Sequence, residues 1–423
     1  MLDLVLIRAH GRDDGYRALP YGLLSIAAYL EKHGFSVKII DRMKDYESVN
    51  RCAKIIKELS PRMIGISALS TQSKDAIKLG KKLKELRFSA KIICGGQHFT
   101  ALPDEGLRFG DAVIKGEGEE VLLKFCRINT QDINGIYEGQ GIENLDEIPL
   151  PSDAILKNLY QRSEAPFTLL TCRGCYFKCL FCRKDDYRCN VRCHSVGYTC
   201  NYLEKMVNLF DIKSCFIADD VFTFDKNRVI SFCNEIKNRN LKLEFSCFTH
   251  ANINDLDMYK KMKDAGFRQV QIGIESGNND VLKILKKQQT IQDCIKTIEI
   301  IKGAGLSPIP LFMIGNITET EETIKDTIKL AKRLRSICEY GWFSYAQPFP
   351  GSEFYEIAGK YGRVVNRDLS SYWNTRVSFI PKGLTMLKMR KLSGQLAKVL
   401  RPVYPSLGKR IKSKIKILFK PKG

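Results

Sequence analysis

Three cysteines in the middle of the chain have the residue type and spacing of metal ligands. Cys175, Cys179 and Cys182 follow the pattern C-x3-C-x2-C within one short segment. Thiolates are the usual protein ligands of iron–sulfur clusters. Three of them can hold three irons of a cubane and leave the fourth iron open to a substrate. A cluster used only for electron transfer normally has a fourth cysteine, so the spacing predicts a [4Fe–4S] cluster that takes part in chemistry.

A structural zinc site is the alternative for this segment. Cys189, Cys193, His194 and Cys200 follow the three cysteines closely. A structural zinc would use a fourth Cys or His, commonly in paired C-x2-C spacing. The observed spacing favours the cluster, but the nearby ligand-type residues keep zinc open at this point. For Cys189, Cys193 and Cys200 themselves we expect free thiols around the start of a helix, with an auxiliary metal or a resolving thiol as alternatives.

Carboxylates end two later predicted strands. Asp219 and Asp220 lie in the sequence IADDVF, and Glu275 lies in QIGIES. Paired carboxylates attract a cationic amine or sulfonium, and a single carboxylate can accept hydrogen bonds from both hydroxyls of a cis-diol. The structural alternatives are a helix cap at Asp220 and a solvated strand end at Glu275.

The elements around these motifs alternate between strands and helices. Predicted strands lie at 168–171, 214–217, 242–248, 269–274, 307–314 and 339–346. Helices fit between them, which predicts a partial or full β/α barrel.

The first part of the chain shows a similar alternation. Short apolar strands are predicted at 4–8, 36–40, 63–67, 91–94 and 112–115. Strands that alternate with helices predict a parallel, doubly wound α/β sheet, with ligands at the carboxyl ends of its strands. Residues 127–165 are rich in Gly and Pro and read as a connector. The predicted organisation is 1–126 doubly wound domain, 127–165 connector, 166–375 barrel and 376–423 basic helical region.

Taken together, the central motifs resemble those of the radical S-adenosylmethionine (SAM) superfamily. Phe181 provides the aromatic residue of C-x3-C-x-φ-C, Pro350-Gly351-Ser352 is similar to the family's P-G-[ST] turn, and the carboxylates match D-D-x-F and G-x-E-S. The resemblance implies that the open iron chelates SAM and that one electron cleaves SAM to a 5′-deoxyadenosyl radical. It places Asp219, Asp220, Glu275 and Phe181 near SAM. Many relatives have Ser where Cys172 stands, so Cys172 is not expected to be a ligand.

The first 125 residues resemble the cobalamin-binding domain that precedes many radical SAM barrels. The similar stretches are PYGLL, GISAL, GGQHFTALP and GEGE. The resemblance implies a pocket for the nucleotide tail of cobalamin that is lined by Ser67, Leu69, Gly95 and Gly96. The family's D-x-H-x-x-G motif is missing, because His10 is not in that pattern. Cobalamin bound without a histidine ligand is therefore expected, and a Rossmann-like domain without a ligand is the alternative. We interpret His98 as a pocket or structural residue.

The net charge of +21 is concentrated at the carboxyl terminus. From residue 382 onward there are 13 Lys and Arg and no Asp or Glu. Apolar residues at helical spacing between 408 and 419 suit a basic amphipathic helix at an anionic membrane surface, and equally a solvated helix on the barrel. The sparse aromatic residues argue against a nucleic-acid tail. No basic segment precedes the apolar amino terminus, so we expect a cytoplasmic protein, peripheral to the membrane if the tail binds lipid.

The sequence thus predicts a radical SAM enzyme with a [4Fe–4S] cluster, SAM and cobalamin as cofactors. The favoured activity is cobalamin-dependent C-methyl transfer. The alternative is cyclisation, coupling or rearrangement of a lipid or natural product without methyl transfer. A tRNA methylthiotransferase fits less well, because Cys52, Cys94 and Cys126 do not reproduce that family's placement of cluster cysteines. The expected partners are a small-molecule or lipid substrate and an electron donor such as flavodoxin or ferredoxin.

Overall fold

Two parallel sheets dominate the structure. The computed structural model describes residues 2–11, 18–45, 48–160, 166–183, 190–372 and 376–401. These residues form two six-stranded sheets and two short two-stranded ribbons. Every strand pair within the two large sheets is parallel. The predicted α/β class is therefore confirmed.

The first sheet is doubly wound, with strand order β2-β1-β3-β4-β5-β6. Its inner strands are buried apolar runs, as expected for a parallel sheet with helices on both faces. The strands are β1 (Leu4–Arg8), β2 (Val37–Asp41), β3 (Met63–Ser67), β4 (Lys91–Gly95), β5 (Ala112–Gly116) and β6 (Gly135–Gly139). The helices are α1 (Tyr21–Lys32), α2 (Arg42–Asp45), α3 (Val49–Leu59), α4 (Ser73–Glu85), α5 (Gly96–Ala101), α6 (Pro103–Leu107) and α7 (Glu119–Arg127).

Strand β6 lies in the segment that the sequence predicted to be a connector. It pairs with β5 over its whole length, from Gly135 beside Ala112 to Gly139 beside Gly116. The sequence did not reveal this strand, because an edge strand is only partly buried and has no continuous apolar run. The glycines at both of its ends are also typical of loops. The first sheet therefore extends about one strand beyond the predicted boundary at 126. Helix α8 (Asp153–Leu159) then leads to the second sheet.

The second sheet is an open half-barrel with strand order β14-β13-β12-β11-β10-β7, which confirms the partial-barrel prediction. Its strands are β7 (Phe167–Leu169), β10 (Ser214–Ile217), β11 (Glu244–Thr249), β12 (Phe267–Glu275), β13 (Ser307–Ile314) and β14 (Trp342–Tyr345), and the ribbon strands between β7 and β10 are β8 (Cys172–Arg173) and β9 (Arg192–Cys193). The helices are α9 (Val196–Phe210), α10 (Lys226–Asn238), α11 (Leu256–Asp264), α12 (Asn279–Ile284), α13 (Ile291–Gly303), α14 (Glu321–Leu334) and α15 (Glu353–Tyr361).

The basic carboxyl-terminal region contains a helix that packs on the barrel. Strands β15 (Gly362–Val364) and β16 (Phe379–Pro381) form the second ribbon, and α16 (Met386–Leu400) follows. Helix α16 buries Met389, Leu392, Leu396 and Leu400. The predicted amphipathic stretch 408–419 lies outside the described residues. Among the helices that the structure describes, none is both long enough and apolar enough to cross a bilayer.

Helix α16 should contribute measurably to barrel stability. Leu396 is fully buried, whereas Leu387 on the same helix is 79% exposed. We expect Leu396→Ala to lower the free energy of unfolding by about 3 kcal/mol, because it removes apolar contacts and leaves a cavity. Leu387→Ala is the matched control and should leave it nearly unchanged. Urea denaturation followed by circular dichroism measures both, and equal effects of the two substitutions would contradict the packing of α16.

Candidate active site

The three predicted cluster cysteines lie on a loop that leaves the ribbon β8–β9. In this ribbon Cys172 lies opposite Cys193, and Arg173 lies opposite Arg192. The ribbon strand β8 follows closely after β7, the edge strand of the half-barrel. The fold therefore presents Cys175, Cys179 and Cys182 at the carboxyl end of the barrel strands, where ligands of α/β proteins bind.

Neighbouring elements fix the loop through backbone bonds and ring stacking. The Leu180 amide donates to the Leu285 carbonyl and the Leu180 carbonyl accepts from the Phe354 amide, each at 3.0 Å. The Phe177 ring stacks on His250 with 3.7 Å between centroids. Burial, with help from the charge of Lys287, lowers the pKa of His250 to about 3, so this ring is neutral at physiological pH.

The thiol of Cys179 is suited to bind iron. It is buried, while Cys175 is partly exposed and Cys182 is exposed. Hydrogen bonding with the Cys182 side chain lowers the pKa of Cys179 to about 7 against the opposing effect of burial, and the charge of Lys287 contributes. The thiolate is the form that binds metal, so the loop favours the state that a cluster requires.

The two predicted aspartates have different environments. Asp219 is buried, and its carboxylate accepts hydrogen bonds from the amides of Thr171 and Cys172 at 2.6 and 3.1 Å and from the Thr171 hydroxyl. Burial raises the pKa of Asp219. Its bonds give it a structural role at the entrance of the cluster loop. Asp220 is exposed, and it caps neither the short 3-10 turn after it nor α10, whose cap is Asp225. The carboxylate of Asp219 is thus engaged by the backbone before the cluster loop, whereas Asp220 lies at the surface.

Glu275 forms a buried ion pair that the sequence did not single out. Its Oε1 lies 3.1 Å from the Nζ of Lys287. Burial alone would lower the pKa of Lys287, but Glu275 and Cys179 outweigh it and raise this pKa. Lys287 also lies 5.9 Å from the ring centroid of Phe181. The ring lies beside the pair, and the charges of the pair act on Cys179.

The backbone near Glu275 is shaped to hold this pair. Glu275 has a φ of 64°, a conformation that is uncommon for residues other than glycine and often marks a functional site. A side chain at Gly273 would come within 2.6 Å of Glu275 Oε1 and 2.8 Å of Lys287 Nζ. Glycine there makes room for the ion pair. A cationic group and a carboxylate together can bind a ligand that carries a carboxylate and hydroxyls, as SAM does.

A cavity of about 360 Å³ lies between the first sheet and the start of the cluster loop. Its volume is within the range of small-molecule pockets. Ser67, Gly95 and Gly96 line it from the first sheet, and Leu170, Cys172 and Arg173 line it from the barrel side. The remaining walls come from α1, the turn before α7, α9 and residues 145–151. The carboxyl ends of the first sheet therefore face the end of β7 and the ribbon β8–β9 across this cavity.

The predicted cobalamin residues are not all at the cavity. Gly96 has a φ of 84°, and a side chain there would lie 2.7 Å from Ser67 Oγ, so this position admits only glycine without strain. Leu69 is not among the described lining residues and is 46% exposed. His98 is fully buried and contacts Glu105 and Ser70 through its two ring nitrogens, at 3.1 and 3.3 Å. Its contacts support the structural interpretation of His98.

Comparison with known proteins gives the same two domains. Residues 8–125 match the B12 binding domain, and residues 169–331 match the radical SAM superfamily. An uncharacterised methyltransferase of Pyrococcus horikoshii is 31% identical over 96% of this chain and 91% of its own length.

The chain belongs to the B12-binding branch of the radical SAM superfamily.

Two further relatives of this radical SAM enzyme are informative. An anaerobic magnesium-protoporphyrin IX monomethyl ester cyclase of Rubrivivax gelatinosus is 25% identical over 80% of the chain and 66% of its own length. A radical SAM methyltransferase of Kitasatospora setae superposes with a TM-score of 0.71 and 14% identity, over 94% of this chain and 89% of its own. At that identity the likeness concerns the fold. The cofactors of the enzyme are those of its two domains, a [4Fe–4S] cluster, SAM and cobalamin, and it requires a reductant and acts on a small-molecule substrate.

The expectation of free thiols after the cluster loop is wrong for Cys193. The radical SAM enzyme contains a disulfide between Cys172 and Cys193. The antiparallel ribbon places the two residues opposite each other, a pairing that sequence separation does not reveal. Cys200 is a buried thiol on α9, and Cys189 lies outside the described residues.

The other cysteines of the first domain lie on three separate elements, and of these three Cys94 lines the cavity. Cys52 is on α3, Cys94 on β4 and Cys126 on α7, and all three are buried. The three cluster cysteines come from one loop, and the geometry gives Cys52, Cys94 and Cys126 no common site.

Lys287 should contribute to SAM binding through its ion pair with Glu275. We expect Lys287→Met to raise the dissociation constant for SAM about tenfold, which corresponds to about 1.4 kcal/mol, because Glu275 would lose its partner. The neighbouring Lys286 pairs with Glu353 at the surface, so Lys286→Met is the matched control, with little effect expected for an exposed pair. Equilibrium dialysis with labelled SAM on the cluster-loaded protein measures both. An unchanged constant for Lys287→Met would contradict this role.

The disulfide should be detectable in the purified protein. Peptide mapping by mass spectrometry, without added thiols and after alkylation, should yield one linked pair of peptides that contain Cys172 and Cys193. Cys200 provides an internal control, because it should appear only as an alkylated thiol once the protein is unfolded. Recovery of Cys172 and Cys193 as separate alkylated residues would show that the pair is reduced.

Proposed function

We propose that this enzyme is a cobalamin-dependent radical SAM methyltransferase that acts on an unactivated carbon. The observation that carries the proposal is the shared cavity: Gly95 and Gly96 of the B12-binding domain line the same space as Cys172 and Arg173, which lead into the cluster loop. Cobalamin in this cavity would therefore lie next to the site of SAM cleavage. Bound cobalamin would supply methyl transfer, and the cluster with SAM would supply a primary radical, chemistry that no side chain provides.

Different residues of the chain would hold the cluster, SAM and cobalamin. Cys175, Cys179 and Cys182 would hold the cluster and leave one iron open. Glu275 and Lys287 would orient SAM, in the buried geometry described above. In the B12-binding domain, Gly95 and Gly96 would present bare backbone to the cofactor at the strand ends. Gly96 also has to be glycine because Ser67 packs against its backbone. No histidine of the D-x-H-x-x-G kind is needed for this arrangement.

The full-length similarity to a methyltransferase supports this activity over others. The Pyrococcus horikoshii protein matches both domains and nearly the whole chain. The second candidate is radical cyclisation or rearrangement without methyl transfer, which the similarity to the Rubrivivax gelatinosus cyclase favours. The two candidates differ in the products of SAM: methyl transfer yields S-adenosylhomocysteine, whereas radical formation alone yields methionine and 5′-deoxyadenosine.

The partners follow from the chemistry. An electron must reach the cluster, and a flavodoxin or ferredoxin is the class of protein that would supply it. The substrate would be a small molecule or a lipid. A lipid substrate would fit a basic tail, residues 402–423, that binds an anionic membrane surface. Loss of liposome binding on deletion of residues 405–423 would support that role, and unchanged sedimentation would end it.

The decisive test is the corrinoid content of the enzyme, purified without oxygen from cells supplied with cobalamin. We expect about one corrinoid per chain by absorbance and mass spectrometry, and formation of S-adenosylhomocysteine and 5′-deoxyadenosine under reduction. Cys179→Ala should abolish 5′-deoxyadenosine formation, whereas Cys338→Ala, which alters a buried cysteine outside the cluster loop, should retain it. An intact cluster without corrinoid would favour the second candidate. Continued 5′-deoxyadenosine formation by Cys179→Ala would refute the radical SAM assignment of this loop.

A further inference from the structure

A network of ion pairs joins the B12-binding domain to the cluster loop. Arg173 lies two residues before Cys175. Its guanidinium donates to Glu117 Oε2 at 2.5 Å, to Glu119 Oε1 at 2.8 Å and to the Ser25 hydroxyl at 2.6 Å. Its three partners belong to the first domain, whereas Arg173 belongs to the ribbon that carries the loop.

A second arginine binds the same carboxylate. Arg192 lies opposite Arg173 in the ribbon. It contacts both oxygens of Glu117, at 3.3 Å for Oε2, and donates to the carbonyl of Ile142. Glu117 therefore accepts from both strands of the ribbon at once, and the ribbon cannot shift without breaking bonds to it.

The network is strong because it is withdrawn from water. Glu119 and Arg192 are buried, and Glu117 and Arg173 are mostly covered. Arginine forms planar, paired hydrogen bonds with carboxylates, which fix direction as well as distance. Removal of one partner leaves a poorly solvated charge behind, which is costly. Burial opposes ionisation of Glu119, but Arg173 outweighs it and lowers the pKa of Glu119.

The network connects the two cofactor sites. Glu117 and Glu119 flank Gly118 where the turn enters α7, and all three line the cavity. At the other end, the disulfide Cys172–Cys193 joins the strands next to the arginines, so Arg173 and Arg192 move as one unit. A displacement of this turn would therefore be transmitted to the chain just before Cys175.

We propose that Arg173 and Arg192, held by Glu117 and Glu119, are positioning residues that set the distance between the corrinoid and the cluster. The proposal rests on the proposed binding of cobalamin in this cavity. SAM that gives its methyl group away leaves as S-adenosylhomocysteine, and this reaction requires close approach of SAM to the corrinoid. SAM that takes one electron from the cluster gives methionine and 5′-deoxyadenosine, and this reaction requires only the cluster. A loosened network should therefore impair the first reaction more than the second.

The test compares Glu117→Gln with the wild-type holoenzyme. Pulsed electron paramagnetic resonance between cob(II)alamin and the reduced cluster measures the distance, and we expect a broader or shifted distribution in the variant. The ratio of S-adenosylhomocysteine to 5′-deoxyadenosine should fall about tenfold or more, since small misplacements of reacting groups have effects of this size. Arg173→Lys, which keeps the charge but loses the paired bonds, should give an intermediate result. Glu204→Gln, which breaks an ion pair with Arg239 elsewhere on the barrel, is the control and should match wild type.

The possible outcomes separate this proposal from the function on which it rests. A wild-type protein that binds no hydroxocobalamin in an equilibrium titration overturns both. A wild type that binds it, together with an unchanged distance and product ratio in Glu117→Gln, overturns only the positioning role. If Glu117→Gln does not fold, Arg173→Lys carries the same comparison. A changed distance with retained cluster and retained 5′-deoxyadenosine formation supports the proposal, because a merely stabilising network would not change the distance between the cofactors.

Discussion

The buried carboxylate of Asp219 is the constraint on which the active site depends. Its hydrogen bonds come from two consecutive residues, Thr171 and Cys172, at the point where the chain leaves β7. A buried carboxylate without such donors would be costly, so the chain is held to one path there. The ribbon, its disulfide and the loop with the cluster cysteines all begin from this fixed point. Asp219 thus affects the active site indirectly, because it fixes the backbone that leads into the cluster loop.

A second constraint operates on the opposite side of the cluster loop. Lys287 is buried beside Glu275, and each compensates the charge of the other. The pair can exist only because Gly273 has no side chain and because Glu275 adopts a left-handed backbone conformation. His250 supports the same region, since its Nε2–H donates to the Lys287 carbonyl and its ring stacks on Phe177. The ammonium group of Lys287 near Cys179 is therefore held in place by residues from several strands and loops.

The cavity between the domains is a property of neither sheet alone. The strand ends of the first sheet form one wall, and the cavity arises because the end of β7, the ribbon β8–β9 and α9 face that wall. The arginines of the ribbon are held by glutamates of the first domain, so the contact is directional rather than a simple apolar surface. Helix α16 follows the barrel in sequence and packs on α14 and β14. Its residues are not among those that line the cavity.

The sequence by itself determined the fold class, the cluster loop and the order of the two domains. Spacing within one loop is local, so Cys175, Cys179 and Cys182 could be identified without a structure. Apolar strand runs are also local signals, and the strand predicted at 307–314 coincides with β13 (Ser307–Ile314). The edge strand β6 was missed, because half-exposed strands lack such runs. Only the tertiary structure decided the partners of single side chains. Lys287 reaches Glu275, Cys172 reaches Cys193, and Arg173 reaches Glu117 across separations that no local pattern records. These contacts exist because parallel strands gather their carboxyl ends at one edge, and that gathering depends on the whole fold.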